Sequence, residues 1–141
     1  MASKKILENV PAPTGIKLSL LWASLMSLYI YNDYFILFVP GTIDGMAAGS
    51  MGPLGDYTES KMIVVALILA IPASMVFLSS ILSAVFSRRL NLVFGGIYVV
   101  MAVLTLIGSP PFYKVIVCFQ IVAIMLILWL AIRWPNQVAS P

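Results

Sequence analysis

Long apolar runs dominate this chain of 141 residues. A helix needs about 20 mainly apolar residues to cross the hydrocarbon layer of a bilayer. Four runs reach about this length without the alternating pattern of a membrane β-strand. Because backbone groups in lipid must pair within their own segment, such runs predict helices. The predicted spans cover residues 16–39, 61–86, 90–107 and 112–134.

The composition supports the same class, since 62% of the residues are hydrophobic and 9% are charged. Soluble domains carry about 25% charged residues. The predicted fold class is an all-α membrane protein, a four-transmembrane-helix bundle with antiparallel neighbours. The lipid bilayer is its expected partner. The basic residues stand at the ends of apolar runs and do not cluster, so no nucleic acid partner is expected.

Basic residues near the ends of the runs predict the orientation. One side would carry six of them and the other side Lys61 and Lys114, so both termini are predicted to be cytoplasmic. Residues 1–15 then form an N-terminal segment, 16–134 the transmembrane domain and 135–141 a tail. The first run is too long for a cleavable signal, so it is predicted to remain as a span of a multi-pass membrane protein. The six residues are Lys4, Lys5, Lys17, Arg88, Arg89 and Arg133.

The connections differ in length. Tight links are predicted at Ser87–Arg89 and Gly108–Pro111, whereas the outer loop spans residues 40–60. Loops of that length are typical of lids, binding loops or disorder. Thr42 is predicted to cap a helical turn that runs to Ala48, and a flexible tether is the alternative.

Small residues and one proline suggest how the helices pack. The Ala- and Ser-rich second span is the predicted central packing helix, and Gly95 and Gly96 are predicted contact points. Pro72 predicts a kink in the second span, because it frees the carbonyl of Ile68 from its helical hydrogen bond. A neighbouring hydroxyl or a water is the expected donor to that carbonyl.

Asp33 is the only acidic residue within the four runs. A charge inside a span costs about 3 kcal/mol or more, which favours a functional interpretation. We predict a polar pocket near the outer leaflet for a proton, a cation or a small polar solute. Its predicted residues are Asp33, Tyr29, Asn32, Trp22, Tyr98 and Gln120.

Two other interpretations of Asp33 stay open. In one, the carboxylate pairs with Lys61 or Lys114 at the outer rim, or accepts a hydrogen bond from a tyrosine, and only fixes the helix packing. In the other, the first helix ends early and Asp33 belongs to the membrane interface.

Missing residue types exclude several kinds of site. The chain has no histidine, which excludes bis-histidine haem ligation, a Ser-His-Asp triad and histidine-containing metal sites within it. The single cysteine, Cys118, excludes an intrachain disulfide and is predicted to be a small buried hydrophobe. No catalytic constellation, metal or cofactor is therefore expected.

Several stretches carry a resemblance to a known group: residues 20–26 (LLWASLM), 29–35 (YIYNDYF), 39–41 (VPG) and 51–55 (MGPLG). With them, the chain resembles a bacterial family of small four-span membrane proteins of unknown function, from the first span to the ending Arg133-Trp134-Pro135. The layout is also similar to DoxX-like membrane proteins, some of which accompany quinone-linked oxidoreductases. The resemblance implies a multi-pass protein of a bacterial inner membrane, but no established activity.

Three functions follow as hypotheses. The first is a protein that binds or conducts a proton, a cation or a small polar solute at Asp33. The second is a non-catalytic accessory or self-assembling subunit, present as a homo-oligomer or with other membrane subunits. The third is a subunit of a quinone-linked oxidoreductase, whose cofactor another chain would hold.

Overall fold

The computed structural model describes residues 11–136, and within this range the fold is all-α. Lys4, Lys5 and most of the predicted tail lie outside the described residues. A 3-10 turn covers Gly52–Leu54, and no strand occurs in the described range beyond one isolated bridge between Ser50 and Asp56. The helices are α1 (Thr14–Ile36), α2 (Thr42–Ala47), α3 (Glu59–Ile81), α4 (Ala84–Thr105) and α5 (Pro111–Ile132).

Three helices of the described chain, α3, α4 and α5, are long and apolar enough to cross a membrane. The fold is therefore that of a multi-pass membrane protein. Helix α1 has 23 residues, like α3, but is not among the three. The reason is its polar content, which is spread along the whole helix: Lys17, Ser19, Ser24, Ser27, Asn32 and Asp33.

The four long helices form a ring in the order α1, α3, α4, α5. Helix α1 packs extensively on α3 and α5, and α4 packs on α5. The predicted central role of the second span is wrong, since Ala66, Ala70 and Ala73 of α3 are exposed. Small residues permit close packing but bury little apolar surface, and the central position belongs to α1, which buries the large side chains Leu18, Trp22 and Leu25.

The turn between α3 and α4 lies at Leu82 and Ser83, ahead of the predicted link at Ser87–Arg89. Leu82 has an extended backbone, with ψ of 156°, and Ser83 stands at the N-cap position of α4. The Arg pair sits inside α4, because arginine is a good helix former and does not break a helix. Arg88 reaches α5, where its Nε donates a hydrogen bond of 3.0 Å to the carbonyl of Ala131.

One of the two predicted glycine contact points is confirmed. A Cβ added at Gly95 would lie 2.7 Å from Cδ2 of Leu128, so α4 and α5 approach closely there. A Cβ at Gly96 would meet nothing within 4 Å. The two glycines point in different directions from α4, and only Gly95 faces a neighbouring helix.

The outer loop has an internal structure of its own. Helix α2 agrees with the predicted helical turn, although its N-cap is Gly41, with φ of 83°, and not Thr42. The ammonium group of Lys61 donates to the carbonyls of Leu54 at 2.8 Å and Asp56 at 2.9 Å. These bonds tie the 3-10 turn to the start of α3, which favours an ordered loop over a tether.

Candidate polar site between the helices

Asp33 is exposed on the surface of α1, whereas the preceding Asn32 has an exposed fraction of 0%. This exposure does not support the predicted position of Asp33 inside the pocket. Consecutive residues on a helix point about 100° apart, so only one of the two can face the neighbouring helices. A neutral amide costs far less to bury than a carboxylate, which explains why Asn32 takes the interior position.

Three side chains, two of them buried and that of Tyr29 half-buried, contain buried polar atoms with no hydrogen-bond partner within the described chain. They are the hydroxyl oxygen of Tyr29, both Oδ1 and Nδ2 of Asn32, and Nε2 of Gln120. Asn32 and Gln120 are 0% and 1% exposed. We call these three residues the polar site. Native proteins leave few buried polar groups unpaired, and each such group costs about 1–3 kcal/mol.

Tyr29 of α1 and Gln120 of α5 lie at similar depth on two helices that pack against each other, and Asn32 lies about one helical turn further along α1. At 1.5 Å per residue, Tyr29 lies about 22 Å from the start of α1, and Gln120 about 18 Å from the end of α5. Those two helix ends belong to the same side of the bundle. Tyr29 and Asn32 are three residues apart and so share a face of α1.

Tyr98 of α4 contacts one member of the polar site, Tyr29. Its ring lies edge-on to that of Tyr29, with 5.9 Å between centroids, and edge-on to that of Trp22, with 5.7 Å. Its hydroxyl donates a hydrogen bond to the carbonyl oxygen of Ile68. That carbonyl is the one that Pro72 frees, so the expectation of a neighbouring hydroxyl donor is confirmed.

Trp22 belongs to a second, fully paired network near the end of the bundle where α1 begins. Its Nε1 donates to Oδ1 of Asn91 at 2.7 Å. The Nδ2 of Asn91 donates to the carbonyl of Ser87 at 2.8 Å and to Oγ of Ser79 at 3.1 Å. This network joins α1, α3 and α4, and it gives Trp22 a structural role apart from the unpaired atoms.

Asn91 and Ser87 were missed as candidates, although the sequence contains a signal for them. The buried residues of α4 follow spacings of four, four, three and four, which mark one helix face. Two polar side chains on that face indicate an internal network. The face consists of Ser87, Asn91, Gly95, Tyr98 and Ala102.

Of the two predicted rim partners of Asp33, Lys61 has other hydrogen-bond partners. Lys61 binds the carbonyls of the outer loop, and Lys114 is exposed. Cys118 is exposed on α5, so its prediction as a buried hydrophobe is wrong. Within residues 11–136, no group of three or more His, Cys, Asp or Glu side chains is arranged to hold a metal ion.

Comparison with known proteins gives a family but no activity. Neither the curated proteins nor the solved structures include a match to this chain. A family model described as a family of unknown function, DUF6326, matches residues 5–140. Since the match covers nearly the whole sequence, the chain belongs to the DUF6326 family, whose function is unknown.

Proposed function

We propose that this protein is a multi-pass membrane protein that binds a small uncharged polar molecule at the polar site. The observation that carries the proposal is the set of four buried atoms in Tyr29, Asn32 and Gln120 that have no partner in the described part of the chain. A guest that hydrogen-bonds to them would recover the free energy that their burial costs.

The chemistry of the four atoms favours an uncharged guest. Asn32 offers an acceptor and a donor, Gln120 offers a donor, and the Tyr29 hydroxyl can do either. Water, alcohols and amides carry both functions and match this set. Hard cations prefer shells made of oxygen atoms, which the two amide nitrogens would interrupt.

Asp33 is assigned to the entrance of the polar site. It follows Asn32 directly and is exposed near the outer end of α1, at a level where solvent lowers the cost of its charge. In this role it attracts polar solutes, and the neutral interior selects among them. Every carboxylate within residues 11–136 is exposed, so none of them supports the predicted conduction of a proton or a cation.

The topology that we propose has four spans, with α1 as the fourth membrane helix beside α3, α4 and α5. Its packing on both α3 and α5 supports this, because a ring member cannot leave the bundle without exposing Leu18, Trp22 and Leu25. The excess of basic residues at the ends where α1 starts and α5 stops favours cytoplasmic termini in a bacterial inner membrane. This topology includes an N-terminal segment at residues 1–15, a transmembrane domain at 16–134 and a tail at 135–141.

The two other hypotheses stay predictions. An accessory or self-assembling role and a quinone-linked role both need a second chain or a cofactor. No contact within residues 11–136 favours either role over the binding of a solute.

The test uses the full chain in lipid nanodiscs with acetamide as the probe. We expect acetamide to raise the unfolding temperature of the wild type more than that of Asn32→Leu, which removes two of the four atoms. Tyr31→Leu, next to it on α1 but exposed, is the matched control and should retain the shift. Equal shifts in the wild type and in Asn32→Leu would contradict the proposal.

A second readout separates binding from conduction. Shrinkage of proteoliposomes in an acetamide gradient, followed by light scattering, reports whether the molecule crosses. Acceleration over empty liposomes that disappears in Asn32→Leu indicates a path through the polar site. Stabilisation without acceleration indicates binding alone.

A further inference from the structure

A groove opens at the end of the bundle where α1 and α4 begin and where α3 and α5 end. It encloses about 1160 Å³, and three of its lining residues are Lys17, Arg88 and Arg89. None of its lining residues in the described part of the chain is acidic. We call it the basic groove. Three cations without a carboxylate among them create a positive potential that attracts an anion.

The three basic side chains of the groove differ in their hydrogen bonding within the protein. Arg88 already binds the end of α5, with Nε at 3.0 Å from the carbonyl of Ala131 and a terminal nitrogen at 3.4 Å from that of Ile132. A cation at this place offsets the negative end of the helix dipole. Lys17 and Arg89 are exposed, and their side chains form no hydrogen bond to another residue in the range 11–136. They remain available to a ligand.

Two helix N-termini line the same groove. Helix α1 begins after Pro13 and α4 after Ser83, and neither N-cap side chain bonds to its first turn. The first N–H groups of a helix have no partner within it and carry partial positive charge. Residues of both first turns, Gly15 and Val85 among them, lie on the groove wall. Phosphate groups bind well at such places.

The walls of the groove continue into the apolar surface of the helices. Ile16 and Val85, both on the wall, are 43% and 59% exposed. Trp134 also lines the groove, and tryptophan prefers the level of lipid headgroups. A ligand that fits this combination has an anionic head and acyl chains, which is the chemistry of a phospholipid.

We infer that the basic groove binds the phosphate headgroup of an anionic phospholipid, held by Lys17 and Arg89 and by the N-termini of α1 and α4. Arg88 is a positioning residue that holds the end of α5 against the groove. The inference rests on insertion of the chain into a membrane, and it is independent of the polar site. Basic sites between membrane helices are known to recognise such headgroups.

Native mass spectrometry of the full chain in detergent tests the inference, with phosphatidylglycerol as probe and phosphatidylcholine as the zwitterionic comparison. We expect the wild type to bind phosphatidylglycerol in preference. For the double variant Lys17→Gln/Arg89→Gln, binding should fall by about tenfold or more, since each basic residue near an anionic headgroup contributes about fivefold. Lys114→Gln, an exposed cation at the opposite end of the bundle, is the matched control and should bind normally.

Three results would overturn the inference. They are equal binding of the two lipids, unchanged phosphatidylglycerol binding in the double variant, and an equal loss in Lys114→Gln.

Competition with inorganic phosphate is a separate experiment. If it competes with the lipid at equal concentration, the groove is a site for a soluble anion and not for a lipid. Far-UV circular dichroism checks the fold. If the double variant loses helix content, the same comparison is made with Lys17→Gln and Arg89→Gln as single variants, and unchanged binding in both would overturn the inference.

Discussion

The hydroxyl of Tyr98 donates a hydrogen bond to the carbonyl of Ile68. This carbonyl has no donor within α3, because the residue four positions later is Pro72, which has no backbone N–H. A proline in a membrane helix is tolerated when another group supplies the missing donor. Here the donor comes from α4, so the local defect of one helix becomes a connection to its neighbour. The same ring of Tyr98 contacts Tyr29 and Trp22.

We therefore predict that Tyr98→Phe destabilises the fold through the loss of this one bond. The ring contacts survive the substitution, but the carbonyl of Ile68 loses its partner, at a cost of about 1–3 kcal/mol. Pro72→Ala restores a backbone N–H to position 72 and thereby a donor within α3. In that background, Tyr98→Phe should cost less.

Reversible unfolding in detergent of the wild type, the two single variants and the double variant measures this coupling as a double-mutant cycle. Strictly additive effects would show that the hydroxyl of Tyr98 and Pro72 act independently. In that case the bond to Ile68 would not be the reason why the proline is tolerated.

Asn91 and Asn32 form a second natural comparison, since both are 0% exposed. The amide of Asn91 is bonded to Trp22, Ser79 and Ser87, whereas that of Asn32 has no partner among residues 11–136. Asn91→Leu strands the indole N–H of Trp22 and should destabilise by about 1–3 kcal/mol. Asn32→Leu strands nothing and should be neutral or stabilising when no solute is added.

Unfolding free energies of the two variants, measured in the same detergent, check this pair. A loss of stability in Asn32→Leu that matches the loss in Asn91→Leu would mean that Asn32 has a bonded partner in the folded protein.

The sequence pattern was sufficient to locate the long helices, but it did not show which face of each helix is buried. Apolar run length located all four long helices, because the bilayer sets a length that sequence shows directly. The orientation of Asp33 depended on a rotation of α1, and run length carries no information on rotation. The network of Asn91 was recoverable from the spacing of buried residues on α4. The role of Arg88 was not, since the carbonyl of Ala131 that it binds is 43 residues away.

We predict that alanine substitutions at Gly95 and Gly96 have different effects on the stability of the fold. Alanine favours a helix over glycine by about 1 kcal/mol, so Gly96→Ala, with open space around it, should be stabilising. At Gly95 the new methyl would lie 2.7 Å from Cδ2 and 3.1 Å from Cγ of Leu128. Overpacking of this kind costs about 1–3 kcal/mol, so Gly95→Ala should be neutral to destabilising.

The unfolding temperatures of these two variants provide the measurement. Leu128→Ala gives a further check, because it removes the atoms that the methyl would meet and should relieve the effect of Gly95→Ala. If Gly95→Ala raises the unfolding temperature as much as Gly96→Ala, then α4 and α5 are further apart than the contact at Leu128 requires.

The number of spans is decided by the side on which α1 begins. If α1 crosses the membrane, Pro11 lies on the side opposite to Asp56 in the outer loop and on the same side as Asn136. If only α3, α4 and α5 cross, Pro11 and Asp56 share a side, while Asn136 still lies opposite to Asp56. The position of Pro11 therefore separates four spans from three, and all three positions are exposed.

Single cysteines at these positions, in a Cys118→Ser background, allow the measurement with a membrane-impermeant maleimide. We expect Asp56→Cys to react in intact cells, and Pro11→Cys and Asn136→Cys to react only after permeabilisation. The physical reason is that the basic residues Lys17, Arg88, Arg89 and Arg133 lie at the end of the bundle to which Pro11 and Asn136 belong, and such residues are retained in the cytoplasm. Reaction of Pro11→Cys in intact cells together with Asp56→Cys would leave α1 on the membrane surface, and the ring of four helices would then not be a transmembrane bundle.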